Sequence, residues 1–101
     1  ADLRWANLHK ANLTRSDIGG ADLRWANLSG AALIGANLSK SVLTEANLRE
    51  ADLRWANLSR AQLQGADLTG VNLSGASVTQ DQLTEASSIV GAVMPDGTKR
   101  E

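Results

Sequence analysis

Written in fives from its first residue, the chain repeats itself without an insertion: ADLRW, ANLHK, ANLTR, SDIGG and onward to ASVTQ, sixteen units that fill residues 1–80. The third position is Leu in fourteen units, with Ile18 and Val78 the exceptions, and the first is Ala in thirteen, with Ser16, Ser41 and Val71 as the rest. The second is Asn or Asp in twelve, and the last two are polar, charged, Gly or Trp in nearly every unit. A period of five suits neither common element. At about 3.6 residues per turn, a Leu every fifth residue marches around a helix and buries no single face. In a straight strand, side chains alternate in twos, so every second Leu would face water.

The pattern makes sense if the chain turns a corner once per unit, with Ala and Leu pointing inward and the other three positions outward. Short extended pieces joined by a corner in every unit describe an all-β solenoid, a stack in which each coil touches only its neighbours. The A(D/N)LXX units resemble those of the pentapeptide-repeat family over residues 1–80. That resemblance implies a right-handed quadrilateral β-helix with four units per coil, hence four coils of 20 residues. The tail Gly91-Ala92-Val93-Met94-Pro95-Asp96-Gly97 resembles the closing segment of members from photosynthetic bacteria. Many members place Phe at some central positions; this chain has none, so its core is expected to be uniformly narrow.

Composition supports a thin core. Only two of every five positions face inward, close to the 43% apolar share of the 101 residues, and Ala and Leu make up most of it. Stacking brings residues 20 apart to about 4.8 Å, the spacing of neighbouring strands. The inward columns are then Leu3, Leu23, Leu43, Leu63; Leu8, Leu28, Leu48, Leu68; Leu13, Leu33, Leu53, Leu73; and Ile18, Leu38, Leu58, Val78. Asn7, Asn27 and Asn47 align and end in Asp67, and side-chain amides at that spacing are expected to hydrogen-bond along the stack. Gly at the fifth position predicts type II turns there, because that turn needs positive φ. Corners such as Trp5, Lys10, Arg15, Glu45 and Arg60 are expected to use turns that need none.

The repeat domain ends at residue 80, and residues 81–101 are expected to form a C-terminal cap. Thr79-Gln80-Asp81-Gln82 has the spacing of a capping box. It predicts a short capping helix over 80–87 with Leu83 and Ala86 lying on the last coil, then extended chain from Ile89 to Met94 and a turn at 95–98. At the other end the first unit begins at residue 1, leaving Leu3, Leu8, Leu13 and Ile18 on an open face. Two readings stand: a cap precedes Ala1, or two chains meet end to end there as a homodimer. The absence of an initiating Met leaves an upstream segment open.

Several function classes are excluded. With no Cys there are no disulfides or thiolate metal sites. A net charge of -1 argues against direct nucleic-acid binding. No apolar run approaches the roughly 18 residues that span a bilayer, so no membrane segment is expected. The chain is expected to be soluble: cytoplasmic, or periplasmic or thylakoid-lumenal if a signal was removed. The single histidine, His9, sits at an outward position with no pocket or orienting partner, so no catalytic residue, metal or cofactor is expected, and the chain is not expected to be an enzyme. Asp2 and Asp22 flank Arg4 and Arg24, which reads as a solvated salt-bridge lattice rather than an acid/base pair.

The residues that folding explains least are the tryptophans. The octapeptide Ala-Asp-Leu-Arg-Trp-Ala-Asn-Leu occurs three times, starting at residues 1, 21 and 51. Trp5 and Trp25 should stack on one edge; Trp55, one and a half coils further on, should lie on the opposite side between Gly35 and Gly75. Arg4, Arg24 and Arg54 precede them and could pack over the indole faces, a composition found at interface hot spots. The preferred reading is a structural or protein-interaction module with an unidentified protein partner. The resemblance also implies an alternative, a duplex-DNA mimic that modulates a type II topoisomerase, which needs a long acidic rod. Counted by faces, the charges here come to -1, 0, +1 and +1.

Overall fold

The computed structural model describes residues 2–100. Every side of the stack is marked by parallel bridges between second-position residues 20 apart: Asp2, Asp22, Val42 and Gln62; Asn7, Asn27, Asn47 and Asp67; Asn12, Ala32, Asp52 and Asn72; Asp17, Asn37, Asn57 and Ser77. The chain thus runs four-sided through four coils, residues 2–20, 21–40, 41–60 and 61–80. Pairing takes the form of single-residue bridges, because the backbone leaves the extended conformation at each corner.

The unit Ala46–Glu50 shows how five residues complete a hydrogen-bonding cycle. The Ala46 amide closes the preceding turn onto Leu43 O at 3.0 Å, and the Asn47 amide donates back one coil to Ala26 O at 2.9 Å. Leu48 and Glu50 donate forward one coil, to Asp67 O at 2.9 Å and Thr69 O at 2.8 Å. The Arg49 amide alone has no backbone partner; it donates to Oδ1 of Asn47, two residues back, at 3.0 Å. All twelve units with Asn or Asp at the second position make this bond, at 3.0–3.3 Å. A short side-chain acceptor two residues ahead of an amide is the Asx-turn geometry.

This corrects the expectation of amide ladders. Asn7, Asn27, Asn47 and Asp67 do align, but their Oδ1 atoms are taken by their own units. Among the described residues, one Asx-to-Asx side-chain bond runs along the stack, from Asn37 Nδ2 to Asp17 Oδ1 at 3.1 Å.

The corners hold a second correction. Positive φ occurs at the glycine corners as expected, but also at Trp5, Lys10, Arg15, Trp25, Lys40, Glu45, Glu50, Trp55 and Arg60, with φ of 59–64°. All are type II turns: the third-position carbonyl accepts from the next unit's first amide, as Ala61 N donates to Leu58 O at 2.9 Å, with positive φ at the third turn residue. Stacking imposes the geometry, since a corner of another type would move its amide away from the next coil's fourth-position carbonyl. An L-residue in the left-handed region costs roughly 1–2 kcal/mol, and the ladder and core around each corner outweigh it.

Inside, Leu23 through Leu73 are fully buried in four columns, with Ala between them. Ser41, which replaces an Ala, is also fully buried and donates its hydroxyl to Leu38 O at 2.6 Å. At the outer end of the first coil Leu3, Leu8, Leu13 and Ile18 are half-buried against the core.

Helix α1, Gln80–Thr84, is shorter than the expected 80–87, because Glu85 caps it. The capping box is present: Thr79 Oγ1 accepts from the Gln82 amide and Gln82 Oε1 accepts from the Thr79 amide at 2.8 Å. Gln82 Nε2 also donates to Leu58 O and Ala61 O at 2.7 and 2.9 Å, and so takes up at Ala61 the first-position carbonyl to which a second-position amide donates elsewhere in the stack. Leu83 is buried and Ala86 packs partly buried against the core. Beyond α1 the chain is not simply extended from Ile89 to Met94. It resumes the coil one residue out of phase, with Ser88 bridging Asp67, Val93 bridging Asn72, and a positive-φ corner at Gly91. After a turn closed by Gly97 N donating to Met94 O at 2.8 Å, Lys99 pairs antiparallel with Val93. Among the described residues no helix is long and apolar enough to cross a membrane.

Two substitutions test this construction. Replacing Asn57 by Ala removes the acceptor for the Ser59 amide and is expected to lower unfolding free energy by about 1 kcal/mol, whereas Asn57→Asp keeps the acceptor and costs about half that or less. Denaturant unfolding separates the two. At the Arg60 corner, φ 62°, Arg60→Gly should leave the melting temperature unchanged or raise it and Arg60→Val should lower it, because a β-branched residue fits the left-handed region worst.

Candidate functional site

The three octapeptides form one local structure. In each, the Asp at the second position takes the fourth-position Arg in a two-pronged fork: Arg4 Nε and Nη2 lie 2.9 Å from the Asp2 oxygens, Arg24 at 2.9 and 2.6 Å from Asp22, Arg54 at 2.9 and 2.7 Å from Asp52. The same Asp holds the Arg backbone amide. Strand geometry explains the fit, since residues i and i+2 point to the same face. The following Trp occupies the corner at positive φ and is thrown outward beside the fork.

The structure brings Trp5 and Trp25 together as a parallel stack, ring centroids 4.9 Å apart and 13° between planes. Trp55 lies elsewhere, on the corner ladder of Gly35 and Gly75, with its indole flat over Gly75; a Cβ on that glycine would fall within 2.4 Å of the ring. Trp5 and Trp55 remain 71% and 70% exposed, and Trp25 39%. The expected cover of Arg over indole is met only at Trp25, where the Arg24 guanidinium lies 5.5 Å from the ring centroid. All three arginines are held by their carboxylates, and among the described residues only the Arg24 fork also lies over an indole.

Other candidate groups are used within the fold. His9 Nδ1 lies 2.9 Å from Ser29 O and 2.7 Å from Ser29 Oγ, and that hydroxyl itself donates to Asn27 Oδ1 at 2.6 Å. With the serine proton so committed, His9 Nδ1 is the donor, so the pair ties coil 1 to coil 2 and cannot activate Ser29. Among the described residues no cavity is present, and no three His, Asp or Glu side chains are placed to hold a metal. Acids and bases pair within faces: Asp67 with Arg49 at 3.1 Å in addition to the three forks. No acidic face results.

These contacts lower carboxyl pKa values. The Arg4 side-chain hydrogen bonds bring Asp2 down from 3.8 to about 2, and the Arg24 and Arg54 forks lower Asp22 and Asp52. Burial alone would raise Asp67, but the Thr69 hydroxyl and amide and the Arg49 guanidinium outweigh it; Asp96 is lowered by the Thr98 hydroxyl and amide.

The sequence signalled the Asp-x-Arg-Trp cassettes but not the role of the second-position Asn and Asp. A signal was present in the recurring Asn-x-Ser spacing of Asn27, Asn37, Asn57 and Asn72 and the Asn-x-Thr of Asn12, the signature of side-chain turns.

Comparison with known proteins agrees with the repeat. The family model for pentapeptide repeats matches in eight copies over residues 1–24, 21–60 and 46–80. Among solved structures, the chain is similar to a pentapeptide repeat protein of the Arabidopsis thaliana thylakoid lumen, with 36% identity, 99% of this chain and 69% of that one covered, and a TM-score of 0.83. It is also similar to one from Nostoc PCC 7120, with 42% identity, coverage of 80% and 71%, and a TM-score of 0.54. The fluoroquinolone resistance protein QnrB1 shares the fold at 21% identity, with 92% and 47% covered and a TM-score of 0.57. No curated protein sequence matches the chain significantly.

The lowered carboxyl pKa values fix the sign of the acid response. Between the usual value near 3.8 and the folded value of about 2 for Asp2, the unfolded chain binds more protons, so this contribution to stability is essentially complete above about pH 4.5 and lost as pH falls toward 2. Urea midpoints should be level from pH 7 to pH 4.5 and fall below that; in Arg54→Gln the acid slope should be shallower.

Proposed function

The chain belongs to the pentapeptide-repeat family, and on that footing we propose that it is a right-handed quadrilateral β-helix, closed at its C-terminal end by α1 and the resumed half-coil, that works as a non-enzymatic protein-interaction module. The observation that carries the reading is the exposure of the indoles. Trp5 and Trp55 leave about 70% of their surface to solvent, beside Arg-Asp forks held rigid by paired hydrogen bonds. Burying such a residue in a partner releases much more apolar area than any other outward side chain offers. Of the other outward positions, the small polar ones are tied to their own units, as Asn27, Ser29 and Asn37 are, and the long ones at the corners, such as Lys10, Lys40, Glu50 and Arg60, are charged.

The half-buried Leu3, Leu8, Leu13 and Ile18 at the outer end of coil 1 are a second apolar surface, suited to end-to-end contact between two copies. The topoisomerase alternative has less support. DNA mimicry needs uncompensated negative charge; here Asp2, Asp22, Asp52 and Asp67 are each paired with an Arg, and the 11 acids of the sequence are nearly balanced by 10 Lys and Arg. The likeness to QnrB1 is one of fold.

Crosslinking capture tests the module reading with the parent chain, the double variant Trp5→Ala/Trp25→Ala, Trp55→Ala, and the corner control Lys40→Ala. Losing the Trp5–Trp25 stack should destabilise the fold by only about 1 kcal/mol. Proteins captured by the parent and by Lys40→Ala but lost from a Trp variant that still melts cooperatively support the reading. A capture profile identical in all four chains contradicts it.

A further inference from the structure

The cassettes have a symmetry that a single docking patch does not need. Each carries one anion, one cation and one exposed indole in the same order, with the same Asp–Arg fork. Coils 1 and 2 place two of them, Asp2-Arg4-Trp5 and Asp22-Arg24-Trp25, one above the other on one corner. The third, Asp52-Arg54-Trp55, stands on the diagonally opposite corner, as its placement on the Gly35 and Gly75 ladder requires. Between the two sites the side chains at the other corners differ: Lys10, Gly30 and Glu50 on one, Gly20, Lys40 and Arg60 on the other.

Within each fork Nε and Nη2 of the arginine are taken by the carboxylate, and among the described residues Nη1 donates to nothing. An Asp beside an Arg is its own complement. When two like cassettes face each other across a two-fold axis, each free Nη1 meets the other copy's carboxylate and indole meets indole. Aromatic contact of this kind adds to area burial, and an isologous contact uses the same patch twice. Like charges are not brought face to face in that arrangement.

Resting on the reading of the chain as an interaction module, we propose that the partner of the cassettes is a second copy of this chain, and that association is lateral and open-ended. A copy engaged through its Trp5–Trp25 corner still presents Trp55 on the far side. Closed dimers would need one site; two sites on opposite corners continue into a row of solenoids side by side.

Sedimentation velocity of the full chain over a series from micromolar to near-millimolar concentration tests the proposal, with circular dichroism confirming that each variant is folded. The parent should pass the dimer as concentration rises, and less so at high salt, where the crossed ion pairs are screened. Trp55→Ala and Arg54→Glu, each blocking one corner, should stop at the dimer, as should Trp5→Ala/Trp25→Ala. The triple Trp variant should stay monomeric. A parent that remains monomeric, or that stops at a dimer, overturns the proposal. So does a triple variant that associates like the parent, which would move the contact elsewhere, for instance to the Leu8 and Leu13 end. None of these results alone removes the module reading, which falls only if capture of other proteins is also indifferent to the tryptophans.

Discussion

The amide of the fourth residue in each unit is the one backbone donor that the stacked ladder cannot reach. The first amide closes a turn, the second and third alternate between the coils behind and ahead, and the fifth points forward again. An unpaired donor repeated at every corner would destabilise the coil by about 1 kcal/mol or more wherever it was shielded from water. The side chain two residues earlier accepts it. That requirement selects Asn or Asp, short enough to reach and carrying an acceptor, and it accounts for the second letter of the repeat more directly than any contact between coils.

With that bond in place the rest of the unit follows. The corner turns the chain so that the first and third residues both face inward, and only Ala and Leu recur there because a four-sided tube of this width has room for one small and one branched side chain per side. The corner residue takes positive φ whatever its identity. Long corner side chains then run along the stack over the residue one coil on; Trp55 covers Gly75, Glu45 covers Gly65, and Trp5 covers Trp25. Glycine at a corner thus makes room for the preceding coil as much as it relieves its own backbone.

What the sequence disclosed, and what it hid, follows from this division. The period and the inward positions are set by apolar patterning, which is visible in letters; the 20-residue register is what the family resemblance implies, and the start of α1 is marked by the Thr79–Gln82 capping box. The left-handed conformation of Arg15, Lys40 or Glu50 is imposed by neighbouring coils, and their own preferences oppose it. The aligned Asn letters point to bonds along the stack, and only the orphaned amide, which no letter shows, turns them into the unit. The resumed half-coil at Ser88 and Val93 was obscured by the extra residue that α1 inserts. At the candidate site the cassettes were legible as repeats, while the forks that tie Arg4, Arg24 and Arg54 to their own aspartates emerge only in three dimensions.

Within the cassettes the Asp serves this construction by accepting the fourth-position amide, while the Arg and Trp side chains lie outside it and are free to carry an interaction without disturbing the fold. The construction itself is most directly tested by amide hydrogen exchange resolved by residue. The fourth-position amides of Arg49, Ser59, Thr69 and Ser74 bond to a second-position side chain. Those of Ile34, Thr44 and Gln64 follow Ala32, Val42 and Gln62 and have no such acceptor. The first group should exchange slowly and the second at least tenfold faster, although all sit at equivalent places in the stack. Equal protection in both groups would show that the second-position side chain is not what completes the unit.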